Sequence, residues 1–317
     1  MTPSWPPLRI HIVSLCILIL LGGAAVAQAP PKSEAQDHLI ADQEPIAPIP
    51  PPPAADPRKL ALGERLFSDS RLSGNGKLSC SSCHDIRSNG ANPNKGSVSQ
   101  PFDTLTIFNA ALNFRLNWEG NYRTLAAHIE SSLENPRNMH TSADEVVERL
   151  NADPETVRQF RAAYGSAPNR DSFLDAMVTF EKSLVTPGAR FDLWLAGDSS
   201  ALSARERDGY NLFKWLGCSA CHQGVNVGGN LFERQGVFHP LVKAGPEAVR
   251  VPSLRNVAAT APYFHDGSAA TLQDAVRRMA AAQLDRTLTD EQIELLVSFL
   301  QTLTGNYRGS PVGGGKP

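Results

Sequence analysis

Two short strings repeat one chemical pattern: Cys80-Ser-Ser-Cys83-His84 and Cys218-Ser-Ala-Cys221-His222. Two thiols separated by two residues, with an imidazole directly after, is the spacing that attaches c-type haem. Each thiol adds across one vinyl group, and the adjacent histidine lies under the iron as its proximal ligand. A zinc site or a pair of redox disulfides would use the same cysteines. Zinc does not require a histidine after both second cysteines, and thioredoxin-type motifs sit in a βαβ pattern that this sequence lacks. The spacing therefore predicts two covalently bound haem groups, with His84 and His222 as iron ligands.

Each iron has a sixth position. Met279 lies C-terminal to His222, in a helix opening at Thr271, where a small cytochrome c supplies its thioether. His/Met ligation raises the reduction potential and marks an electron-transfer centre. No histidine occurs between Asp85 and Ala127, so the candidates at the first haem are His128, Met139 and His140. If none binds, that iron is five-coordinate and open to peroxide. Splitting the O–O bond then needs a group that moves a proton from the inner to the outer oxygen. His128 is the candidate, with Glu130 and Glu134 behind it. Met177 falls in an apolar stripe and reads as core.

The elements that must hold these groups are helical. Ser203, Thr271 and Thr289 open capping-box spacings, and Asp153-Pro154 places an N-cap before a first-turn proline. Phe173, Leu174, Met177, Phe180, Lys182 and Leu184 form a mostly apolar stripe on one long helix, ended by Pro187-Gly188. Short β-type runs such as Phe232 to Leu241 do not build a series. The fold class is all-α: two cytochrome c-like domains, residues 57–190 and 191–308, each with one c-type haem. Residues 1–27 read as a secretory signal peptide cut after Ala27, which places the mature chain in the periplasm. Of five cysteines, Cys16 leaves with that segment, and the other four are the two haem-anchoring pairs. Residues 28–56 read as a proline-rich linker and 309–317 as a flexible tail. A net charge of −2 over 317 residues excludes a nucleic-acid binder that neutralises many phosphates.

From Leu62-Gly63-Glu-Arg-Leu-Phe67 to Leu303-Thr304-Gly305 the chain resembles the bacterial di-haem cytochrome c peroxidases and their MauG-type relatives. Cys218 to Gly229, Val251-Pro-Ser-Leu-Arg-Asn-Val-Ala and Thr260-Ala-Pro-Tyr-Phe-His-Asp-Gly267 carry the resemblance most specifically. It implies a calcium ion between the domains, held by Asp103 and the backbone carbonyls of Thr260 and Pro262. It implies that Trp118 lies between the haems and carries electrons or holes, and that Met279 is the axial methionine. The expected partners are hydrogen peroxide and a small redox donor protein (a cytochrome c or a cupredoxin), and the resemblance implies a homodimer. Departures from the family's pattern matter too. The loop from Asp85 to Gln100 lacks the histidine that blocks the first iron in the classical peroxidases. The distal glutamate is Asn138, and the distal glutamine is His128. A haem open at rest is similar to MauG, which uses peroxide to oxidise a partner protein; MauG, however, has a tyrosine where this chain has Met279. MbnH-type enzymes keep methionine there and oxidise a partner's tryptophan. A non-enzymatic electron carrier with both irons six-coordinate is the expectation of another class.

Overall fold

Helices form where a Ser, Thr, Asp or Asn cap precedes apolar residues at three- and four-residue spacing. The computed structural model describes residues 44–91, 103–242 and 245–314, and such helices dominate it. The first group comprises α1 (Pro57–Phe67), α2 (Leu125–Glu134), α3 (Ala143–Asn151), α4 (Pro154–Tyr164) and α5 (Arg170–Ser183). The second comprises α6 (Arg190–Leu195), α7 (Ala204–Trp215), α8 (Leu272–Leu284) and α9 (Asp290–Gln301). Asp153, Ser203, Thr271 and Thr289 each accept a backbone N–H from the first turn of their helix. Among the described residues the sheet content is two short antiparallel pairs. β1 (Phe232–Arg234) pairs with β2 (Ala248–Arg250), and β3 (Asn306–Tyr307) with β4 (Ser310–Pro311).

Each group closes on its own core. Phe67, Phe160, Phe173 and Phe180 are fully buried in the first; Phe191, Tyr210 and Phe299 meet in the second, with ring centroids 4.7–5.2 Å apart. Each such side chain contributes about 1.5–3 kcal/mol by leaving water. One glycine permits the tightest helix crossing in each core. A Cβ on Gly63 of α1 would run into the Ala176 carbonyl oxygen of α5 and lie 2.8 Å from Phe180 Cβ. A Cβ on Gly209 of α7 would run into the Leu295 carbonyl oxygen of α9 and lie 3.0 Å from Phe299 Cβ.

Four expectations change. The α5 stripe runs through Phe173, Met177, Phe180, Glu181 and Leu184, because these positions share a face; Lys182 is exposed. The helix also ends at Ser183, since Leu184 leaves the helical backbone at ψ 55 before the proline is reached. Residues 44–49, expected as part of an extended linker, dock on the second core, with Ile46 1% and Ile49 5% exposed. Residues 309–314, expected as tail, fold back onto the first core. There Val312 is 3% exposed, and the Gly313 N–H donates to the Ser88 carbonyl at 3.1 Å. In both places buried β-branched side chains offset the entropy of ordering the segment. The expected signal peptide, with Cys16 and the Ala27 cleavage point, lies outside the described residues. Among the described residues no helix is long and apolar enough to cross a membrane.

Candidate functional site

The two C-x-x-C-H strings adopt the same local structure. Each begins as a single 3-10 turn, Cys80–Ser82 or Cys218–Ala220. In each, the histidine N–H donates to the carbonyl of the first cysteine at 2.9 Å. The imidazoles are then fixed in the same way. His84 Nδ1 lies 3.1 Å from the Gly90 carbonyl oxygen, and His222 Nδ1 lies 3.3 Å from that of Val227. Donation from Nδ1 sets the tautomer and leaves the Nε2 lone pair available to a metal. Burial lowers the pKa of both rings, that of His222 to about 4, so neither is protonated at neutral pH.

Both motifs open on one cavity of about 570 Å³, lined largely by apolar side chains. Interiors normally close to crystal-like density, so a cavity of this size marks a cofactor site. Cys80, Cys83, His84, Cys218 and His222 form part of its wall; the half-buried Cys221 does not. The four thiols are unpaired among the described residues, and burial pushes Cys80 up to about 12 and Cys218 to about 11. Reactive redox cysteines have depressed values instead. Among the described residues no three His, Cys, Asp or Glu side chains gather as a metal cluster, so the cysteine pairs do not meet in a zinc site.

The other expected residues divide by helix face. His128, Ile129, Ser132 and Leu133 present one side of α2 to the cavity. Glu130 and Glu134 lie about 200° and 240° around the helix from His128. Accordingly Glu130 pairs with Arg170 outside the cavity, and Glu134 is exposed. The helical period rules both out as groups behind His128. That ring packs on Tyr122 at 5.4 Å, and burial, with the neighbouring His84 and Arg250, lowers it to about 4. Asn138 and Met139 reach the cavity, whereas His140 is exposed. Met279 lines the cavity from α8, as do Leu272, Ala275 and Val276. Met177, expected in the core, is fully buried in the first core and also touches the cavity wall.

Trp118 stands in the same wall, 8% exposed, with its Nε1–H donating to the Asp103 carbonyl at 2.9 Å. Asp103, Thr260 and Pro262 line the cavity beside it. Two further residues belong to the site. Glu181 is buried against it near Cys80, and burial raises its carboxyl to about 8. Its spacing from Met177 and Leu184 was the signal: an acid on an apolar helix face. Arg250, 3% exposed, reaches the cavity from β2. Its Nε donates to the Asn117 carbonyl at 3.2 Å, while Nη1 has no partner among the described residues. Alternation within a three-residue strand could not have revealed it.

Comparison with known proteins gives the arrangement its family. Residues 57–200 match the model of the di-haem cytochrome c peroxidases, and residues 207–304 that of cytochrome c. The cytochrome c551 peroxidase of Nitrosomonas europaea is 37% identical over 84% of this chain and 86% of its own length. The chain belongs to the di-haem cytochrome c peroxidase family. With that family come two c-type haems. The methylamine utilization protein MauG of Methylorubrum extorquens is 32% identical, over 89% of this chain and 88% of its own. Among solved structures, a MauG-like protein associated with microbial copper homeostasis superposes with a TM-score of 0.68. It is 28% identical and covers 81% of this chain and 93% of that one.

Proposed function

We propose that the protein is an exported, periplasmic di-haem peroxidase that reduces hydrogen peroxide at the first motif, drawing electrons through the second. The observation that carries this reading is the shared cavity: two Nδ1-tethered histidines and Trp118 line one apolar space. Cys80 and Cys83 would anchor one haem with His84 as its ligand; Cys218 and Cys221 would anchor the other, with His222 and Met279 as the residues that would ligate it. Bound there, the haems would supply redox-active iron and the electrons that peroxide reduction needs. His128, neutral above about pH 4, accepts a proton from the inner peroxide oxygen and returns it to the outer one. The apolar wall excludes water from that transfer. Arg250 offers a buried N–H, without a partner among the described residues, to a haem carboxylate. Trp118 bridges the two halves. Asp103 and the carbonyls of Thr260 and Pro262 offer the hard oxygens that calcium takes. Each peroxide consumes two electrons and two protons and leaves as two waters. The donor is a small cytochrome c or cupredoxin.

A second reading is favoured at one place. The loop after the first motif, Asp85 to Gln100, has no histidine to fill that iron's sixth position, which supports MauG-type oxidation of a partner protein's side chain. Full-length protein matured with haem separates the readings. Two covalent haems by mass, and peroxide consumption driven by reduced cytochrome c, are expected. Loss of peroxide without donor oxidation, but with oxidation of a partner protein, would favour the second reading. A low-spin protein indifferent to peroxide would refute both.

A further inference from the structure

Five residues after His222 the chain makes a costly turn. Val227 has a φ of +49°, which a β-branched side chain rarely adopts, and it is completely buried. Its carbonyl accepts from both His222 Nδ1 and the Leu254 N–H, the latter at 3.2 Å. Such a conformation persists only where the surroundings over-determine it. Part of that determination comes from the far N-terminal side of the described chain.

The Gly224 N–H donates to the Pro45 carbonyl at 2.7 Å. Arg255 Nε donates to the Val225 carbonyl at 2.9 Å, so this buried guanidinium holds the same loop. Its other nitrogens are held in turn. Nη1 pairs with Asp192 Oδ1 at 2.6 Å, and Nη2 donates to the Ala47 carbonyl at 2.7 Å. The Ile49 N–H donates to the second Asp192 oxygen at 3.3 Å. Residues 44–49 thus complete a buried ion pair that would otherwise keep an unsatisfied donor and acceptor. The segment has its own anchors: Ile46 in the second core, the buried Ile49, and Glu44, which accepts from Tyr210 Oη at 2.5 Å and pairs with Lys214 at 3.0 Å.

We propose that residues 44–49 are a positioning strap for the second haem site: clamping the loop after His222, they hold the Val227 carbonyl that orients the imidazole. The strap touches neither reacting atoms nor iron. It acts through the hydrogen bond that sets how strongly a ligating histidine donates to its metal. The inference rests on the ligation proposed for His222.

The test uses full-length, haem-loaded protein carrying a protease site in the exposed stretch 51–55. Covalent haem is counted by mass before cleavage. A chain without haem at Cys218 and Cys221 refutes the ligation, and the strap's role with it. With both haems present, the strap is cleaved and its release checked by mass spectrometry. Redox titration should then show the second haem's midpoint potential shifted and the first haem's unchanged. Hydrogen exchange at the Gly224 amide should rise at least about tenfold. Unchanged potentials after release would overturn the proposal, as would equal shifts at both haems. Should the cleaved protein lose its fold, Ile46→Val gives the graded form. It removes one methylene and keeps the side chain apolar, so a smaller selective shift supports the strap and its absence overturns it.

Discussion

Replacing Glu181 with glutamine tests how burial governs the first site. The side chain lies within α5, 7% exposed, and burial is the cause that raises its carboxyl from 4.5 to about 8. In the unfolded chain the group ionises near 4.5. Below that pH both states hold the proton and the residue has no pH-linked effect on stability. Between 4.5 and about 8 the folded chain keeps a proton that the unfolded chain releases. Stability therefore falls as pH rises, by about 1.4 kcal/mol per unit. At pH 7 the accumulated loss is roughly 3 kcal/mol. Glutamine has nearly the same shape and cannot ionise. Glu181→Gln should match the parent near pH 4.5 and exceed it by roughly 3 kcal/mol at pH 7. Denaturant unfolding of the haem-loaded protein at several pH values reads this directly, because the thioether links keep haem on the unfolded chain. Parallel stability curves, or a variant weaker than the parent at pH 7, would refute the reasoning.

Other perturbations follow from the same geometry. His128 is held near pKa 4, so peroxide consumption should stay level through pH 6.5, where an ordinary histidine titrates, and fall as pH approaches 4. His128→Phe should slow it by about 10²–10⁴-fold if the ring carries the proton, as stopped-flow mixing with peroxide would show. Gly63→Ala should cost about 1–3 kcal/mol by forcing α1 off the Ala176 carbonyl, and Gly209→Ala should do the same between α7 and α9; melting temperatures check both. Asp192→Leu should cost about 3–5 kcal/mol by leaving the Arg255 charge buried without its partner, measured by guanidinium unfolding.

The parts legible in the sequence are those whose physics is local. A C-x-x-C-H string carries its chemistry in five consecutive residues, and a cap such as Ser203 with Glu206 completes its bonds within one turn. Met279 and His128 could be placed because each lies on a periodic helix face that opens on the cavity. Proximity along the chain suggests Glu134 beside His128, but a six-residue step turns a helix to its far side. Polarity alone disfavours Glu181 on the α5 stripe, because an acid facing a core is unfavourable unless a site lies there. Arg250 and the segment around Ile46 depend on contacts between residues more than a hundred positions apart. No pattern within a short window encodes such contacts.

The two ends of the described chain are exchanged. Residues 44–49 finish the second core, and Val312 finishes the first. Neither half can therefore be completed from its own stretch of sequence. A ribosome delivering the chain from its N-terminus would leave the first core open until the last residues arrived. The opening segment would likewise wait for a core not yet made. Both motif regions would thus stay accessible through most of synthesis, and closure of the two halves would become one late, shared event. Cutting the gene between the halves should yield two incomplete fragments, each lacking a short piece that the other retains.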